Sequence, residues 1–88
     1  MKLFIIRVTG RVQNVGFRYA TKAAAEKLNI RGFVQNLPDR SVYIEAEGEE
    51  PEISKFLLWC HQGPSWAHVD NISTQKAPLQ HFKSFKVR

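Results

Sequence analysis

Two short stretches of the chain hold the residue types from which chemistry could be built. The first, Gly10-Arg11-Val12-Gln13-Asn14-Val15-Gly16-Phe17-Arg18, lies between an aliphatic and aromatic run at Leu3 to Val8 and an amphipathic stretch that begins at Phe17. A strand-to-helix junction of this kind gathers unpaired main-chain N–H groups at the positive end of a helix dipole, which suits an anion. Gly10 and Gly16 would let the backbone curl until successive amides face one concavity, and Arg18, one residue into the helix, would offer a planar fork to phosphate oxygens. It is not a Walker loop, because no Gly-Lys-Ser/Thr follows to hold phosphates and a metal. On glycine spacing alone, an ordinary connection carrying a surface arginine explains the stretch at least as well. The second stretch, Gly32-Phe33-Val34-Gln35-Asn36, ends in an amide side chain on a strand expected to run parallel to the first. Asn36 could orient a water there, or simply form an Asx turn before Pro38.

The elements that must hold these stretches are readable from periodicity. Leu3 to Val8 reads as a mostly buried strand ended by Thr9-Gly10, and the loop runs from Gly10 to Gly16. From Phe17 to about Asn29, helical spacing puts Phe17, Ala20, Ala23, Ala24 and Leu28 on an inner face. Arg31 to Leu37 and Ser41 to Gly48 form a hairpin about Pro38-Asp39-Arg40, with Val42, Ile44 and Ala46 inward and Tyr43, Glu45 and Glu47 on a wet face. Glu49-Glu50-Pro51-Glu52 announces a second helix, with Ile53, Phe56, Leu57 and Cys60 inside and a stop at Gly63-Pro64. Val69 to Lys76 supplies a fourth strand and Phe82 to Val87 a short terminal one. This order predicts an α+β, ferredoxin-like β-α-β-β-α-β sandwich, an antiparallel sheet with both helices on one face and a short C-terminal extra strand.

Composition bounds the rest. A chain of 88 residues suits one domain spanning 1–88, and 43% hydrophobic with 24% charged residues is too apolar for intrinsic disorder. Thirteen Lys and Arg against eight Asp and Glu leave a formal charge of +5, which favours an anionic partner without saying which. The lone Cys60 excludes an internal disulfide framework, fits a reducing compartment, and reads as a buried structural thiol on the second helix. His61, His68 and His81 are spaced too widely for a local metal motif. The apolar run Leu3 to Ile6 stops at Arg7, far short of a secretory core or the ~20 residues of a membrane helix, so a cytoplasmic protein with no membrane partner is expected.

Together the two stretches resemble the acylphosphatase family. Gly10, Val12, Gln13, Val15, Phe17 and Arg18 match its first signature, and Gly32, Phe33, Val34, Gln35, Asn36, Val42 and Gly48 match its second. The resemblance covers essentially the whole chain. It implies hydrolysis of small acyl phosphates to a carboxylate and inorganic phosphate, which is also the expected inhibitor, by a monomer with no cofactor, no metal and no nucleic-acid partner. It further implies a phosphate site along Arg11, Val12, Gln13, Asn14, Val15, Gly16, Phe17 and Arg18, with Arg18 and Asn36 catalytic and Asn36 holding the attacking water.

Two positions depart from the family pattern. Asn14 stands where the family usually has glycine, and Arg40 where it has the hairpin glycine. Asparagine is the residue after glycine that best accepts a left-handed backbone, whereas arginine at Arg40 would cost about 1 kcal/mol or change the turn. Asn14 bears on phosphate affinity and keeps open a catalytically silent phosphate-binding domain. The rival of another class is an RNA-binding module of the same fold, since Arg31-Gly32-Phe33-Val34 superficially matches an aromatic strand motif. That motif breaks at Gln35-Asn36 and lies on the second strand rather than the third.

Overall fold

The computed structural model describes every residue from Met1 to Arg88. Its elements are β1 (Lys2–Arg11), α1 (Phe17–Lys27), β2 (Arg31–Asn36), β3 (Val42–Gly48), α2 (Glu50–Gln62), β4 (His68–Ala77) and β5 (Phe85–Val87). The strands form one sheet in the order β4-β1-β3-β2-β5. The first four are antiparallel to their neighbours, and β5 adds to β2 in parallel. The expected ferredoxin-like sandwich is present, and its extra strand makes the sheet mixed.

Alternation sorts the strands into two faces. Ile6 stands opposite Ile44 and Val8 opposite Val42, while Val34 pairs with Ile44 and Asn36 with Val42. These aliphatic side chains join Phe17 and Ala25 of α1 and Ile53, Phe56 and Cys60 of α2 in one buried cluster, so both helices cover the same face. Phe85 of β5 reaches that cluster too, its ring centroid 6.3 Å from that of Phe56. Asn36 therefore ends an otherwise aliphatic row on the helix side of the sheet.

The inner face of α1 differs from the expected one. Phe17, Thr21 and Ala25 are the buried residues, Ala24 and Leu28 pack beside them, and Ala23 is exposed. A hydroxyl at position 21 looks unfit for a core, but Thr21 Oγ1 donates to the Phe17 carbonyl one turn earlier at 2.7 Å, so its burial leaves no donor unpaired. α2 presents its expected face and ends at Gly63, whose φ of 67° lies in the left-handed region.

Glu47 departs further from expectation. It lies on the face away from the helices yet is only 2% exposed. The segment joining β4 to β5 crosses over it, and the N–H groups of Gln80, His81 and Phe82 donate to its carboxylate at 2.7, 3.0 and 2.8 Å. Burial alone would raise its pKa, but these three amides outweigh that and hold it below the ordinary 4.5. Phe82 packs edge-on against Phe33 within this crossing segment, so the terminal strand begins later than expected, at Phe85.

Candidate functional site

The phosphate-cradle stretch divides into a strand end, a loop and a helix start. β1 runs on to Arg11, leaving residues 12–16 as the loop. Gly10 does not curl that loop, contrary to expectation. It sits at a register shift between β1 and β4 with φ 125°, where a Cβ would lie 2.2 Å from the His68 carbonyl oxygen. Its lack of a side chain lets two strands approach. Curvature comes instead from Asn14 (φ 63°) and Gly16 (φ 76°), with Val15 at negative φ between them. Asn14 thus takes the left-handed conformation that a glycine would take.

Gly16 also caps α1 with no side-chain hydrogen bond to the first-turn amides, and the first turn carries no acidic residue. In α2 the corresponding turn holds Glu50 and Glu52. The first turn of α1 therefore offers its positive end no acidic side chain.

Above this end lies a cavity of about 130 Å³. Buried Val12 and Phe17 line it together with exposed Asn14, Gly16 and Tyr19, and Arg18 and Asn36 complete the wall. The two residues expected to be catalytic, 18 positions apart in sequence, thus share one small cavity. Asn36 Oδ1 is buried and accepts no hydrogen bond from the protein. A buried acceptor left unpaired costs about 1–3 kcal/mol, and Asn36 carries that cost while lining the same cavity as Arg18.

The remaining expected phosphate-site residues, Arg11, Gln13 and Val15, do not line this cavity. Arg11 is exposed at the end of β1 opposite His68, and with Gly10, Gln13 and Arg40 lines an adjoining depression that shares Val12 and Asn14 with the cavity. Val15 packs against the core. Gln13 Nε2 donates to the carbonyls of Leu37 and Ser41 at 2.9 and 2.8 Å, stitching the loop to the β2–β3 hairpin. Gln13 thereby fixes the loop relative to the strand that bears Asn36.

Sequence reasoning missed the anchor of Arg18. Arg18 Nη1 donates to the main-chain oxygen of Arg88 at 2.8 Å, and the Arg88 N–H donates to the Val34 carbonyl at 2.8 Å. The Arg88 guanidinium lies 3.8 Å from the centroid of the Phe33 ring. Only parallel pairing of β5 with β2 brings residue 88 to residue 18, and no local pattern foretells such a contact. No three His, Cys, Asp or Glu side chains lie together in a metal-binding group. Burial pushes the Cys60 thiol up to about 12, which leaves it protonated and inert.

The acylphosphatase family model matches residues 4–87. The chain belongs to the acylphosphatase family. An acylphosphatase of Archaeoglobus fulgidus is 48% identical over 82 residues, covering 93% of this chain and 92% of that protein. The crystal structure of acylphosphatase from Bacillus subtilis superposes with a TM-score of 0.98 at 35% identity, covering 100% of this chain and 99% of that one. A structure of an acylphosphatase from Coxiella burnetii superposes at 0.96 with 32% identity, covering 99% and 92%. Acylphosphatases are acid-anhydride hydrolases acting on small acyl phosphates.

Proposed function

We propose that the 88 residues act as a single-domain, monomeric and cytoplasmic acylphosphatase that binds the phosphoryl group with Arg18 and the amides of residues 12–18 and holds the attacking water on Asn36. The observation that carries this reading is that Arg18 and Asn36, 18 positions apart in sequence, line one small cavity together. An amide oxygen accepts a hydrogen bond from water and aims its lone pair without needing to change protonation. The water oxygen bonds phosphorus as the bond from phosphorus to the carboxylate oxygen breaks. The released proton passes to a phosphate oxygen or to the departing carboxylate.

The leaving group explains why so few residues suffice. Its conjugate acid has a pKa near ~4, like a glutamate side chain, so it departs as an anion and requires no general acid. Catalysis then rests on placement and on stabilising charge over the phosphoryl oxygens, which a guanidinium and main-chain amides supply. The cavity lining offers no carboxylate, imidazole or thiol. Inorganic phosphate, sharing the cradle, is the expected product inhibitor.

The RNA-binding alternative loses its platform. Phe33 on the open face is covered by Phe82 and the Arg88 guanidinium. Tyr43 beside it donates its hydroxyl to Glu45 at 2.7 Å, and burial together with that bond pushes its pKa up to about 12. No free stacked pair of rings is presented to bases.

Benzoyl phosphate hydrolysis tests the proposal. Arg18→Ala is expected to lower kcat/KM by roughly 10³-fold with loss of phosphate inhibition, and Asn36→Ala to lower kcat by about 10²-fold or more at nearly constant KM. Normal turnover by both variants refutes the assignment. Phosphate binding by the wild type without turnover would make the domain a silent one.

A further inference from the structure

We propose that Tyr19 receives the acyl group and makes this enzyme selective for acyl phosphates with a flat aromatic acyl part. The inference rests on the phosphate-cradle reading and extends it to the other half of the substrate. A cavity of about 130 Å³ walled by Arg18 and Asn36 has room for the phosphoryl group but must pass the acyl part out through its mouth. In-line attack puts the leaving carboxylate on the side of phosphorus opposite the water, so the acyl group points away from the water on Asn36. Val12 and Phe17, the other apolar lining residues, are buried and belong to the core. Among the exposed residues that line the cavity, Asn14, Gly16 and Tyr19, only Tyr19 has an aromatic side chain.

That ring is unusually available. Tyr19 is 70% exposed, and of the large exposed apolar side chains Met1, Tyr19, Leu58, Trp66 and Leu79 it alone lines this cavity. It joins none of the aromatic pairs that tie together Phe17, Phe33, Tyr43, Phe56, Trp59, Phe82 and Phe85. Arg18 and Tyr19 are adjacent in the first turn of α1, about 100° apart around its axis, and both residues line the cavity. An aromatic acyl group leaving the cradle can lie against it and remove both faces from water, whereas an acetyl group offers little area to cover.

The test is the ratio of kcat/KM for benzoyl phosphate to that for acetyl phosphate in the wild type, Tyr19→Ala and Tyr19→Phe. Tyr19→Ala should lower the ratio about 3- to 10-fold, the range expected for one aromatic pair, and Tyr19→Phe should keep it. The inhibition constant of inorganic phosphate, which has no acyl group, should stay within twofold in both variants. An unchanged ratio in Tyr19→Ala, an equal loss on both substrates, or a shifted phosphate constant overturns the proposal. If the wild type turns over neither acyl phosphate, the underlying phosphate-cradle reading fails first and carries this one with it.

Discussion

Arg40 occupies the β2–β3 turn at φ 74°, a conformation in which its Cβ crowds the following carbonyl. The turn kept its shape and the arginine took the strain. Around it the Leu37 N–H donates to Ser41 O at 2.9 Å and the Arg40 N–H to Leu37 O at 3.1 Å, while the Ser41 N–H and hydroxyl both bind Asp39. The Ser41 hydroxyl above all holds the Asp39 carboxyl below its usual value. This network over-determines the left-handed residue, as strained positions require. Replacing Arg40 by glycine relieves roughly 1–2 kcal/mol of backbone strain. It returns roughly 0.4–1 kcal/mol through the freer unfolded chain. Arg40→Gly is thus expected to stabilise the protein by about 1 kcal/mol or less, read as a higher urea midpoint at unchanged m-value. The same substitution at Asn14 should gain less, because asparagine already tolerates that region. Both strained sites were legible in the sequence, since the family pattern has glycine at each and the replaced residue types differ in their cost.

Among the elements, the legible ones were those whose large apolar residues repeat with a clear period, as Ile53, Phe56 and Cys60 do in α2. The face of α1 was less legible because alanines at 20, 23, 24 and 25 say little about direction and Thr21 hides a satisfied hydroxyl. Glu47 was not legible at all, since its amide partners come 33–35 residues later. That carboxylate clamps the crossing segment, the segment delivers β5 to β2, and β5 delivers Arg88 to Arg18. Glu47→Ala strands three N–H groups beneath the segment and should cost about 1–3 kcal/mol for each that stays buried and dry, so a loss of several kcal/mol in urea unfolding is expected at neutral pH. Because the folded carboxyl sits below its ordinary 4.5, its contribution is complete above that value and fades as pH falls through the folded one. Glu47→Gln should accordingly flatten the acid limb of the stability profile. A limb identical to that of the wild type would show that the clamp does not depend on the charge.

Across the whole molecule, Arg18 and Asn36 were recognisable as residue types, but their meeting depends on topology. β1 and β2 run parallel with β3 between them, so the loop after β1 and the end of β2 reach the same edge of the sandwich, and Gln13 ties the two together. The anchor through residue 88 depends on the last strand reaching the edge opposite β4. A site assembled from all these parts exists only in the folded chain, so any anion that binds it must stabilise the fold by mass action. Free inorganic phosphate at 100 times its dissociation constant should add about 2.7 kcal/mol to unfolding, with a rise in the urea midpoint that grows logarithmically with concentration. The general stabilising effect of strongly hydrated anions is instead nearly linear in concentration and indifferent to a single side chain. In Arg18→Ala the logarithmic component should vanish while the linear one persists. If phosphate raises the midpoint of that variant as much as that of the wild type, the guanidinium is not part of the phosphate site, and the net charge of +5 rather than a built cradle accounts for the attraction.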